Sequence, residues 1–137
     1  MAKQKKTWVY SPPRAKKPIP SDLVKSEIQA KADRLVEDIL KPQHIKPAPE
    51  DKELNYIVDI YTKWYRGYFY FCAKYCVSSP NAVVPYFEAK FARMEYVGPD
   101  SFNLAYMRHT EQWFEIYEGL TIDKCLSLIQ TDSAFIP

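Results

Sequence analysis

Residues 57–74 read IVDIYTKWYRGYFYFCAK, and two local structures compete for them. Ile57, Ile60, Tyr61, Trp64, Tyr65 and Tyr68 recur at helical spacing, whereas the wealth of aromatic and β-branched side chains favours strand. Pairing arithmetic decides for strand. A two-residue loop at Arg66-Gly67 sets Trp64 opposite Phe69, Thr62 opposite Phe71 and Ile60 opposite Ala73, making one apolar face. The other face then pairs Tyr65 with Tyr68, Lys63 with Tyr70 and Asp59 with Lys74, the last of opposite charge. A slip of one residue scrambles both faces. Arginine is not the ideal first residue of such a turn, so a slightly longer loop stays open. The stretch is a β-hairpin.

The same texture continues outward. Between Leu54 and Tyr117 lie 18 of the 21 aromatic residues, and Gly67, Gly98 and Gly119 fall where strands would end. Phe87, Ala89 and Phe91 alternate inward, after which the apolar phase moves to Ala92, Met94 and Tyr96. That change of parity predicts a β-bulge near residues 91–92. A loop over residues 97–101 aligns Tyr96 with Phe102, Met94 with Leu104 and Ala92 with Tyr106. A turn around Thr110–Gln112 sets Tyr106 beside Ile116, with Phe114 and Ile116 facing inward. The middle of the chain reads as a five-stranded antiparallel meander spanning residues 54–119.

Helices flank it. Ser21 is a suitable N-cap and Asp22 puts negative charge on the first turn. Val24, Ile28, Leu35, Val36, Ile39 and Leu40 then recur at helical spacing, with Ala32 between them. Glu27–Lys31 and Glu37–Lys41 are favourable i,i+4 pairs, and Pro42 is expected to stop the helix, giving bounds of 22–40. Pro42, Pro47 and Pro49 mark an extended connector over 42–52. Thr121 caps a final helix over 122–130, whose buried stripe is Ile122, Cys125, Leu126 and Ile129, and Phe135 and Ile136 form a tail that folds back. The expected fold is α+β, with both helices packed on one face of the sheet.

The chain has 137 residues, 47% of them hydrophobic, enough for one core and too many for disorder throughout. No stretch of about 18 apolar residues runs without charge, which excludes a membrane-spanning helix. Lys3, Lys5 and Lys6 precede Trp-Val-Tyr and prolines, a pattern unlike a secretory leader. Three cysteines in such a chain point to free thiols in a reducing, cytoplasmic compartment. The net charge of +2 hides an asymmetry. Residues 1–20 hold six cations, four prolines and no acid, which leaves 13 cations against 17 acids, or −4, on the remainder. Residues 1–20 therefore read as a basic, proline-rich disordered arm whose one apolar cluster is Trp8-Val9-Tyr10, and residues 21–137 as a single domain.

Motifs for chemistry are few. Cys72 and Cys76 stand about 13 Å apart along a strand at roughly 3.3 Å per residue, and Cys125, His44 and His109 have no spaced partner, so no metal site is expected. Three isolated glycines build no phosphate loop, no nucleophile elbow is present, and no cofactor is implied. No residue is assigned as catalytic. The best catalytic constellation is Arg108, His109, Glu111 and Glu115 at the last hairpin, where imidazole could act as base and Arg could bind an anion. A plain polar tip, with His109 stacked on Trp113, explains the same residues. The outer sheet face is richer: Tyr61, Lys63, Tyr65, Tyr68, Tyr70 and Lys74, flanked by Asn103, Met107, His109, Trp113 and Tyr117. Such a face suits a homodimer seam or a protein partner. With the basic arm, it also suits base stacking and phosphate contact in a nucleic acid. A roof supplied by the first helix or the arm is the plainer alternative. The net acidity of residues 21–137 weighs against nucleic acid.

Lys90-Phe91-Ala92-Arg93, Tyr106-Met107-Arg108, Trp113, Tyr117, a closing helix and an aromatic tail at Phe135 follow one another in this chain. Together they resemble a small uncharacterised family of microbial domains of unknown function. The resemblance covers residues 90–137 well and residues 55–75 loosely. It implies the strand reading and carries no activity or site residue.

Overall fold

Ser21 begins the first helix as the sequence predicts: its hydroxyl accepts from the Val24 N–H at 3.2 Å, with Asp22 in the first turn. In the computed structural model, which describes residues 18–51, 53–108 and 110–137, α1 runs Asp22–Leu35. The expected arm with its Trp8-Val9-Tyr10 cluster, apart from residues 18–20, and the ring of His109 lie outside the described residues. The helix does not stop at Leu40. It passes through a π-helical segment, Val36–Leu40, into α2, Lys41–His44, with Pro42 in the first turn of α2. The physical reason is the widened turn, in which the Lys41 N–H donates to the Val36 carbonyl five residues back. A proline inside a regular helix loses a donor and collides with the carbonyl four residues earlier; here it follows a turn that is already loosened. The extended connector therefore begins at Ile45.

Five strands follow in the order β1-β2-β3-β4-β5, an antiparallel meander: β1 Tyr56–Tyr65, β2 Tyr68–Cys76, β3 Tyr86–Gly98, β4 Ser101–Met107 and β5 Trp113–Leu120. All six pairs expected for the first hairpin are present, from Trp64 opposite Phe69 to Asp59 opposite Lys74. Its loop has two residues, Arg66 at φ 53° and Gly67 at φ 83°, the doubly left-handed turn that matches strand twist. The bulge in β3 is also present. Phe71 faces Ala92 while Cys72 faces Lys90, so Phe91 is the extra residue, and it sinks into the core. Tyr96 faces Phe102 and Met94 faces Leu104, as expected.

The last two strands differ from expectation. Tyr106 faces Phe114, not Ile116, and the ladder is interrupted on both sides of Leu104. Because Ala105 faces Glu115 while Leu104 faces Tyr117, Ile116 is an extra residue that reverses parity along β5. Tyr117, expected on the outer face, therefore packs against the core, and its hydroxyl donates to Asp132 Oδ2 at 2.6 Å. Phe87 has the inner phase but stays exposed, stacked on Tyr75 with ring centroids 5.0 Å apart. Phe114 is likewise exposed at its edge.

Thr121 caps α3, Ile122–Thr131, and a short 3-10 turn, Ser133–Phe135, seats Phe135 in the core while Ile136 remains exposed. Both helices lie on one face of the sheet. Ile28, Ala32, Leu35, Val36 and Leu40 meet Ile60, Phe69, Phe71, Met94 and Leu104, with Ile122, Cys125 and Ile129 completing the cluster. Polar clasps fix the layer: Thr62 Oγ1 donates to Asp33 Oδ1 at 2.9 Å, Lys31 pairs with Asp123 at 3.1 Å and Lys41 with Asp59 at 3.3 Å. The fold is α+β with one covered sheet face and, among the described residues, one open face.

Candidate functional site: the open face of the sheet

Alternation alone sends Tyr61, Lys63, Tyr65, Tyr68, Tyr70, Cys72 and Lys74 to the face opposite the helices. On β3 the bulge decides. Lys90 and Arg93 are three residues apart, an odd step that would ordinarily split them between faces. With Phe91 inserted, Lys90 lies beside Cys72 and Arg93 beside Tyr70, both on the open face. Strands β4 and β5 add Ala105, Met107, Trp113 and Glu115.

The centre of this face carries two small residues, Cys72 and Ala105, both buried. Tyr70 is only 8% exposed, with its ring centroid 5.7 Å from that of Trp113. The Arg93 guanidinium stands 4.5 Å from the Tyr68 ring centroid and 5.1 Å from that of Trp113, so one cation holds two rings. Lys90 lies 5.7 Å from the centre of Tyr70. Cation–ring contacts of this kind contribute about 0.5–1 kcal/mol each at exposed sites. Through them one cation on β3 links rings of β2 and β5.

Beside this group, Glu88 draws three donors together. The Tyr61 hydroxyl donates to it, Lys63 Nζ lies 2.9 and 3.1 Å from its two oxygens, and Lys90 Nζ lies 3.2 Å away. Burial pushes the Glu88 carboxyl up, but the hydrogen bonds from Tyr61, Lys63 and Lys90 outweigh it and hold the pKa down to about 2. The Tyr61 phenol moves up, through burial first and its bond to Glu88 second. Lys63 also moves up, chiefly through its bond to Glu88. Toward the ends of the face, Lys74 lies 4.6 Å from the Tyr86 ring and Arg66 lies 5.1 Å from that of Tyr65, itself 54% exposed.

The structure thus brings Tyr61, Lys63, Tyr68, Tyr70 and Trp113 into one continuous surface, with Tyr65 and Lys74 toward its ends. It does not bring Arg108 into that group. The Arg108 guanidinium lies 5.2 Å from the Phe114 ring, and the hairpin tip is closed by backbone bonds from Arg108 to Gln112 and from Glu111 to Arg108. No ion pair joins Arg108 to Glu111 or Glu115 among the described residues. Glu88, Lys90 and Arg93 join this surface without having been expected there from the sequence. The bulge at Phe91 was the signal that could have placed the two cations.

Cys72 and Cys125 are fully buried, and burial pushes their thiols up to about 11 and about 12, so neither is a reactive thiolate near neutral pH. Among the described residues no three His, Cys, Asp or Glu side chains gather to hold a metal. No helix there is long and apolar enough to cross a membrane.

Residues 20–137 match DUF3024, a domain of unknown function. The chain belongs to the DUF3024 family. The match takes in α1, the first hairpin and the whole open face, well beyond the 90–137 stretch that carried the resemblance. No curated protein and no solved structure matches the chain.

Proposed function

We propose that this DUF3024 domain is a self-associating interaction module, whose open sheet face docks on the same face of a second copy. The observation that carries the reading is the charge pattern of this surface. Glu88 ties Lys63 and Lys90, and Arg93 is held between Tyr68 and Trp113. A two-fold interface must match itself, which favours mixed signs around an aromatic centre. A phosphate backbone needs free cations, and on this face Lys63 and Lys90 already share the Glu88 carboxylate.

Light scattering on the eluting full chain tests it. The expected mass is that of two chains, with Tyr68→Ala and Trp113→Ala shifting it toward one. A single-chain mass for the native protein at all loadings contradicts it.

The second reading is single-stranded nucleic acid, favoured by the exposed Tyr65 ring beside Arg66 and by the six cations of residues 1–20. That occupant requires oligonucleotide binding that falls steeply with salt and weakens on Tyr68→Ala. An enzyme or small-molecule site at the Arg108–Glu115 hairpin has less support, since Arg108 is engaged with Phe114.

A further inference from the structure

The described residues begin at the rim of a cleft, to which Pro18 itself contributes. Pro20 is buried and pins the segment leading into α1, while Ile19 just before it is 78% exposed. The cleft, about 600 Å³, opens beside the Arg66-Gly67 turn between Ile19, Lys25, Tyr68 and Tyr96. It reaches the helix-covered side of the sheet, where Tyr96 packs against the core. Clefts of about 300–1,000 Å³ are large enough to hold a compact organic group. The space at the turn is open, since no atom stands within 4 Å of a Cβ added at Gly67. The walls combine an aliphatic chain and two rings with two cations, Lys25 and Arg66, and one acid, Glu95.

Upstream of Pro18 the sequence offers one segment suited to such walls. Thr7-Trp8-Val9-Tyr10-Ser11-Pro12-Pro13 carries no charge, and the six cations of residues 1–20 all fall on either side of it. A cleft with more cations than acids disfavours those basic flanks. It does not disfavour the neutral stretch, whose Trp8 and Tyr10 rings suit a lining of rings and cations. The length of chain agrees. Residues 11–17 join Tyr10 to Pro18, and these seven residues reach at most about 25 Å at roughly 3.6 Å each. So short a tether holds the two rings at an effective concentration on the order of millimolar beside the cleft. A free partner would have to match that concentration to displace them.

We infer that Trp8-Val9-Tyr10 folds back into the cleft beside Ile19 of its own chain and anchors the basic arm to the domain. Arg14, Lys16 and Lys17 then stay in solvent, in the loop between the anchor and Pro18. The inference does not rest on the self-association proposed above, because the contact is made within one chain.

The test uses the full chain labelled with 5-fluorotryptophan, whose three tryptophans give three fluorine resonances. Trp8→Phe identifies the resonance of Trp8. That resonance is expected to stand apart from its position in a free peptide of residues 1–17 and to keep its place on dilution. In Ile19→Lys, which adds a third cation to the cleft and leaves the core intact, it is expected to return to the free-peptide position. Thermal unfolding supplies the second readout. Trp8→Ser and Ile19→Lys should each lower the midpoint, and the double variant should lose no more than either alone, since both remove one contact. A Trp8 resonance at the free-peptide position in the native chain overturns the inference. A displaced resonance that Ile19→Lys leaves in place overturns it too, by putting the rings elsewhere. One that dilution abolishes puts them in a second copy and overturns the contact within one chain.

Discussion

Glu88 shows how much a single side chain does on this surface. Its carboxyl is held at about 2 in the folded protein, below the ordinary value of 4.5, by Tyr61, Lys63 and Lys90. A depressed pKa means the folded state favours the carboxylate. The stability it contributes is complete above the ordinary value and is lost as pH falls toward about 2. Urea unfolding between pH 4.5 and 2 should therefore show a steeper loss for the native chain than for Glu88→Gln, and equal slopes would contradict the network. The two faces of the hairpin separate as clearly. Phe71→Ala, fully buried between sheet and helices, is expected to cost about 3–5 kcal/mol. Tyr65→Ala, exposed at the end of the open face, is expected to cost under about 1 kcal/mol in the unassociated chain, as surface changes generally do. Comparable losses in chemical denaturation would mean that the faces are assigned the wrong way round.

At the scale of elements, what was legible depended on whether parity stayed regular. Strands β1 and β2 alternate strictly around a two-residue turn, so every expected pair in that hairpin is present. The β3 bulge was legible because the apolar phase itself moves from Phe91 to Ala92. Strand β5 hides its bulge: Ile116 and Tyr117 are both apolar enough to face inward, so no polar residue marks the reversal, and simple alternation puts Tyr117 on the outer face although it packs against the core. Pro42 misled for a different reason, since a hydrophobic pattern cannot announce the π-helical turn that tolerates it. The turn at Gly67 gives a direct check on the hairpin. No atom lies within 4 Å of a Cβ added there, but φ is +83°, so Gly67→Ala meets conformational strain alone. A cost of about 1 kcal/mol or more is expected in thermal unfolding, and an unchanged midpoint would rule out the doubly left-handed turn.

For the whole molecule, one sheet face is filled by two helices and the other is finished differently. Small Cys72 and Ala105 are buried on that face, and Tyr70, Trp113, Lys90 and Arg93 meet one another through ring and cation–ring contacts, which leaves an aromatic surface of mixed charge. The composition already showed aromatics interleaved with cations along β1 and β2. This linkage was not legible, because it joins β2 to β5 across two intervening strands and depends on bulges that reset which residues share a face. On the self-association proposed above, such a surface takes a copy of itself in preference to a polyanion. Sedimentation equilibrium of the full chain beside its Tyr65→Glu variant tests this most directly, since Tyr65 is exposed and its replacement leaves the core intact. A native chain that weighs as two and a Tyr65→Glu chain that weighs as one are the expected result. A native chain that weighs as one over the whole concentration range, or a pair that Tyr65→Glu leaves undisturbed, would contradict it.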